Sequence, residues 1–143
     1  MRISTLFNLE MEGFEIYISG CKGHCKNCHN PEFKDFNAGE DIDVKYLFDR
    51  ILDLKEAGLI DKIWILGGEP LDNNQDDVIE FLRFLKEFKL PIWLFTRYEY
   101  DEIKPEIKEL VAYLKCGMYI PYLPPSEYYG VKLASSNQYI VKR

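Results

Sequence analysis

Cys21, Cys25 and Cys28 follow one another at CxxxCxxC spacing, which lets three thiolates close on one metal centre from a single short loop. Thiolates are the ordinary ligands of iron-sulfur clusters, and four of them complete a [4Fe-4S] cube. Three would anchor three irons and leave the fourth open to a small molecule, which points to catalysis rather than to electron storage alone. Zinc is a second reading of the same residues, with His24 or His29 completing a set of three cysteines and one histidine. The chain has 2 histidines, both inside the motif, so it lacks the second separated ligand pair that structural zinc sites usually use. Disulfide pairing is a third reading. It fits less well, because the opening residues 1–5 run straight into an amphipathic strand pattern with no signal-peptide character, and a reducing cytoplasm is the expected setting.

A loop of this kind needs rigid elements to hold it, and the pattern along the chain supplies them. Residues 14–19 alternate and run into Gly20, a strand that delivers the cysteine loop from its C-terminal end. Val44, Leu47, Phe48, Ile51 and Leu54 recur at helical spacing over 43–57, with Asp43 as N-cap and Gly58 as the stop. A short apolar strand at 62–66 ends in the Gly-Gly-Glu-Pro turn of 67–70. Asn73 or Asn74 then caps a helix whose Val78, Phe81, Leu82, Leu85 and Phe88 form one stripe, read as core rather than as a binding face. Pro91 breaks that pattern, 92–96 is the next strand, and a helical stretch interrupted by Pro105 leads to the apolar run 111–115. Residues 119–125 read as an irregular covering segment, and 138–142 as a late strand.

Strands alternating with helices at about thirty residues per unit predict a parallel α/β fold. A complete eight-fold barrel needs about 250 residues, so this chain of 143 is expected to be a single domain over 1–143, a partial (open) β/α barrel of parallel strands with helices on the outer face. Ligand sites in such folds lie at the C-terminal strand ends. Here those ends carry the cysteine loop, the turn at 67–70 and the segment from Thr96 to Tyr98. An apolar content of 47% supports a real core, and no apolar run approaches the ~20 residues of a membrane helix. A net charge of -6 offers no basic surface for a phosphate backbone, so neither nucleic acid nor a membrane is an expected partner.

CxxxCxxCHNPE over 21–32 followed by GGEP over 67–70 resembles the radical S-adenosylmethionine enzymes. Within them the chain is similar to the activating components of the class III, anaerobic ribonucleoside-triphosphate reductases, a likeness that extends to IWLFTRY over 92–98 and SSNQ over 135–138. The resemblance implies a [4Fe-4S] cluster on Cys21, Cys25 and Cys28, with the amino and carboxylate groups of S-adenosyl-L-methionine chelating the open iron. It further implies reductive cleavage to methionine and a 5′-deoxyadenosyl radical. That radical would remove a Cα hydrogen from one glycine of the large catalytic subunit of the anaerobic ribonucleotide reductase, with a flavodoxin or ferredoxin as electron donor. An uncovered barrel flank would admit the partner's loop.

Gly67 and Gly68 would let a backbone edge approach the methionine end of the cofactor, and Glu69 would accept a hydrogen bond from its ammonium. The plain alternative is a tight strand-to-helix turn, with Glu69 a first-turn residue favoured by the helix dipole. Asn27 and His29, flanking Cys28, would lie near the adenine or ribose. Asn27 departs from the wider superfamily, where an aromatic residue often precedes the third cysteine, and His29 has stacking and loop hydrogen bonding as equal readings. Thr96 and Tyr98 are cofactor-contact candidates, Tyr98 equally a packed aromatic, and Arg97 stands where a glycine commonly precedes that tyrosine. Cys116 reads as a small buried hydrophobe outside the site. Two further functions stay open: an activase of another glycyl-radical enzyme of the formate-lyase type, and a non-catalytic zinc-binding module.

Overall fold

Alternation along four parallel strands divides the chain's apolar residues between two sides of one sheet. The computed structural model describes residues 1–6, 13–23 and 31–143. The strands are β1 (Arg2–Leu6), β2 (Phe14–Ile18), β3 (Glu40–Asp41), β4 (Ile63–Gly67), β5 (Ile92–Phe95), β6 (Tyr113–Cys116), β7 (Ser126–Tyr128), β8 (Val131–Leu133) and β9 (Tyr139–Lys142). The helices are α1 (Val44–Glu56), α2 (Gln75–Lys86) and α3 (Pro105–Leu110). Seven strands form one sheet in the order β3-β1-β2-β4-β5-β6-β9, and β7 pairs with β8 in a separate hairpin.

The central strands β2, β4, β5 and β6 run parallel in chain order, flanked by β1 and β9 antiparallel to them, with β3 pairing antiparallel to β1 at one margin. Crossovers between neighbouring parallel strands are right-handed, so when strand order follows chain order each returning helix lands on the same side. The packing agrees. Ile16 and Ile18 of β2, Ile63 and Ile65 of β4, Ile92 and Leu94 of β5, and Leu114 of β6 share one buried cluster with Leu47 and Ile51 of α1, Leu82 and Leu85 of α2, and Ile107 of α3. The alternate residues Trp64, Trp93, Leu66, Phe95 and Tyr113 face the other way and pack with Leu133 and Ile140. There Trp93 stacks on Tyr113 at 3.7 Å between centroids and meets Trp64 at 4.7 Å.

Local chemistry sets the helix ends. Asp43 Oδ1 accepts from the Tyr46 N–H at 3.0 Å to start α1, and Gly58, at φ 72°, ends it in the left-handed conformation that costs glycine least. Of the two asparagines before α2, Asn74 is the cap, accepting from the Asp76 and Asp77 N–H groups. Asn73 instead donates through Nδ2 to the Ser19 carbonyl at 3.2 Å, tying the turn after β4 to the end of β2.

The expected stripe on α1 is narrower than its spacing suggests. Leu47, Ile51 and Leu54 are buried, but Val44 is 53% and Phe48 40% exposed. Those two sit on the flank of the sheet-facing stripe, where Phe48 meets the Phe88 ring at 5.4 Å rather than the sheet. The β7–β8 hairpin lies inside a stretch where the spacing signals no strands. It turns through Tyr129 (φ 51°) and Gly130 (φ 79°), the two positive-φ positions of a type I′ turn, with a tyrosine where asparagine is the usual signal. Among the described residues, no helix is long and apolar enough to cross a membrane.

Candidate functional site

The C-terminal ends of β2, β4 and β5 meet around a cavity of about 330 Å³ on the side of the sheet away from the helices. Cys21, Gly67, Gly68, Glu69 and Thr96 all line it. Cys25, Cys28, Asn27 and His29 lie outside the described residues.

Positive φ and close neighbours explain the glycines at these strand ends. Gly20 turns at φ 104°, and a β-carbon there would stand 2.1 Å from the Phe36 ring. Gly67, at φ 122°, would place a β-carbon 2.2 Å from the Ile18 carbonyl oxygen. At Gly68 it would stand 2.5 Å from both the Gly20 and Phe33 carbonyl oxygens. The close approach is used for hydrogen bonding: the Gly68 N–H donates to the Ile18 carbonyl at 3.0 Å and the Glu69 N–H to the Gly20 carbonyl at 2.7 Å. Gly-Gly-Glu-Pro is therefore stitched to the base of the cysteine loop, a role within the chain beside any toward a ligand.

Glu69 is a buried junction, 1% exposed. Its Oε1 accepts from the Arg97 N–H at 2.6 Å, and its Oε2 accepts from the Thr96 hydroxyl at 2.7 Å and the Leu71 N–H at 3.1 Å. Burial pushes its pKa up, against the pull of those three donors. Residual acceptor capacity remains, since a carboxylate offers about four lone-pair positions. Thr96 is oriented by the same contact.

Asp72, in the short 3-10 turn Pro70–Asp72, is a site residue that the motifs did not reveal. Its carboxylate accepts from the Lys22 backbone N–H at 2.7 Å, from Arg97 Nη2 at 3.0 and 3.2 Å, and from the Tyr98 hydroxyl. Burial alone would raise its pKa, but the hydrogen bonds from Tyr98, Lys22 and Arg97 outweigh that and hold the carboxyl below the usual range. Tyr98, the partner of that bond, is pushed up to about 12. Tyr98 thus serves the turn after β4 and does not line the cavity.

Cys21 sits where these contacts converge. Its N–H donates to the Lys34 carbonyl at 3.0 Å, and its sulfur accepts from the Gly23 N–H at 3.3 Å. Burial raises the thiol pKa, with the Gly23 N–H and the Arg97 guanidinium pulling it down. A free thiol at the cavity, beside a cation and the buried Arg97 Nε that has no acceptor among the described residues, fits a sulfur-ligated metal cluster. Cys116 is fully buried in the helix-side core, its thiol pushed up to about 11 by burial.

The cavity's far wall comes from the tail. The Ser135 N–H donates to Gln138 Oε1 at 3.1 Å, Gln138 Nε2 donates to the Gly117 carbonyl at 3.1 Å, and Asn137 Nδ2 donates to the Met118 carbonyl at 2.8 Å. The residues 135–138 thereby pin the irregular segment after β6. Lys115, which spacing did not single out, also lines the cavity and donates to the Gly117 carbonyl at 3.1 Å.

Comparison with known proteins adds a family. The model of the 4Fe-4S single cluster domain matches residues 12–141. The chain is similar to the anaerobic ribonucleoside-triphosphate reductase-activating protein of Haemophilus influenzae, 29% identical over 108 residues that cover 69% of this chain and 66% of that protein. Its counterpart of the same name in Escherichia coli is 26% identical over 114 residues, 73% of each chain. A Methanocaldococcus jannaschii protein provisionally named as a glycyl-radical enzyme activating enzyme is 30% identical over 120 residues, covering 78% of this chain and 45% of that one.

Proposed function

The chain belongs to the 4Fe-4S single cluster domain family, and on that premise we propose that it is a radical S-adenosylmethionine activase of a glycyl-radical enzyme, the anaerobic ribonucleoside-triphosphate reductase. The observation that carries this reading is the convergence of Cys21, the Gly67–Gly68 turn, Glu69 and Thr96 on one cavity at parallel strand ends. Cys21, Cys25 and Cys28 would hold the cluster. When bound, cluster and S-adenosylmethionine together supply one-electron cleavage of a carbon-sulfur bond and, from it, a carbon radical able to take a glycine Cα hydrogen.

The chain's own residues bind, orient and shield. Glu69 fixes Thr96 and the Arg97 backbone and lines the cavity, where its remaining acceptor capacity would partner an ammonium group. Asn27 and His29 are assigned to the nucleoside end, and Asp72 with Tyr98 braces the wall. The tail knot at 135–138 and the aromatic stack under the β7–β8 hairpin limit water at a site where a radical must survive. In this reading β2, β4, β5 and β6 are the arc of an open barrel with α1, α2 and α3 outside, and the uncovered flank receives the glycine-bearing loop of the large subunit. A flavodoxin or ferredoxin in the cytoplasm would deliver the electron.

Anaerobic incubation of the reduced, cluster-loaded protein with S-adenosylmethionine and the large subunit tests the proposal by electron paramagnetic resonance. A glycine doublet in the reductase is expected. A doublet only in a formate-lyase-type partner would move the assignment to that enzyme, and none in either, from a loaded cluster, would overturn it.

A further inference from the structure

Arg97 is held from three sides, yet a buried N–H of its guanidinium lacks a partner among the described residues. Its backbone N–H is bound by Glu69, and its Nη2 donates to both carboxylate oxygens of Asp72 and, at 3.3 Å, to the Tyr98 hydroxyl. The Asp72 side chain is 1% exposed, and the guanidinium lies 4.5 Å over the Tyr98 ring, so neither partner leaves the group free to swing into solvent. Of its side-chain nitrogens, Nε is buried and without an acceptor among the described residues. Buried donors are rarely left unmade, so an orphaned one marks an absent acceptor. Gly23 gives its place: a β-carbon built there would lie 2.9 Å from Arg97 Nε and 3.3 Å from Cys21 Sγ. The orphaned N–H and the fixed positive charge therefore sit against the turn that carries the first cluster sulfur.

The geometry points to Arg97 as a positioning residue that tunes the cluster, donating its Nε–H to a sulfur at the Cys21 corner while Asp72 locks its orientation. This inference rests on the proposed cluster. A donor and a cation aimed at cluster sulfur stabilise the reduced, more negative form and raise the potential. The same carboxylate that anchors Arg97 accepts the Lys22 N–H, so the donor and the loop it serves are fixed by one group. Arginine suits the task because its guanidinium commits Nη2 to a carboxylate and keeps a separate Nε–H donor, which lysine lacks.

Anaerobic potentiometric titration of the reconstituted full chain, read by visible absorbance with iron and sulfide content measured in parallel, tests it without any turnover. Arg97→Gln should lower the reduced-to-oxidised ratio about tenfold at the wild-type midpoint, a shift of about 59 mV for a one-electron couple. Arg97→Lys, which keeps a charge for Asp72 but lacks Nε–H, should shift in the same direction by less. Arg83→Gln, which removes an exposed charge paired with Glu106, should leave the midpoint in place. If Arg97→Gln takes up no cluster, Arg97→Lys decides. Midpoints unmoved at normal iron content would overturn this inference alone, whereas a wild-type chain that binds no iron would overturn the cluster reading and this inference with it.

Discussion

Ile65 and Leu66 are neighbours on β4 and belong to different machines. Ile65 joins the helix-side core, a cluster of aliphatic residues with a few phenylalanines in which the strands meet α1, α2 and α3. Leu66 faces the other way, toward the cavity it shares with Tyr17, Glu69 and Lys115. The same four strands thus present a helix-packed face and a cavity-lining face, and at their C-terminal ends the turn of Gly67 and Gly68 is bound through backbone to the end of β2. The buried carboxylate of Glu69 is tolerated on the cavity face because three donors satisfy it. Separating the faces lets the site vary its chemistry without disturbing the core.

Variants that act on one face should leave the other intact. The largest effect belongs to Cys21→Ala, which should abolish cluster loading, measured as iron per chain, with little change in the thermal midpoint of the metal-free protein. Leu82→Ala, fully buried against the sheet, should cost about 2–5 kcal/mol in urea unfolding while leaving cluster loading intact wherever the protein remains folded. Gly67→Ala strikes the joint between the faces. Its positive φ and the contact with the Ile18 carbonyl predict a loss of about 1–3 kcal/mol together with reduced cluster loading, and a loss in only one measure would break the claim that backbone couples them.

The smallest effects are in pH dependence, where the two buried carboxylates should differ in sign. Asp72 has a depressed folded pKa, so it contributes stability that is present above its ordinary value of 3.8 and lost as pH falls through the lower folded value. Asp72→Asn should therefore flatten the acid limb of the stability profile. Glu69 has a raised folded pKa, so its ionised form is a cost that grows as pH rises above 4.5, and Glu69→Gln should gain on the wild type in that direction. Parallel shifts in the two variants, followed by chemical denaturation across pH, would contradict the assignment.

Much of this arrangement is readable from residue patterns. The helix stripes, the Asp43 cap and the convergence of strand ends follow from periodicity and spacing, because burial against a sheet demands them. Asp72 was hidden because an acidic residue two places after Pro70 looks like ordinary first-turn chemistry. Its partners Lys22, Arg97 and Tyr98 come from other strand ends and meet only in three dimensions. Residues 135–138, legible as part of a family likeness, turn out to act through backbone capture of the segment after β6, which no local pattern announces. The hairpin has no clear turn signal in the sequence, because Tyr129 stands where an asparagine would mark the turn.

Mössbauer spectroscopy of the iron-57-reconstituted, oxygen-free protein, recorded with and without S-adenosylmethionine, tests the central claim directly. An open-cornered cluster predicts that one iron of the four is distinct and that its signal alone moves when S-adenosylmethionine is added. Four irons indifferent to S-adenosylmethionine, or a colourless protein holding zinc, would contradict it.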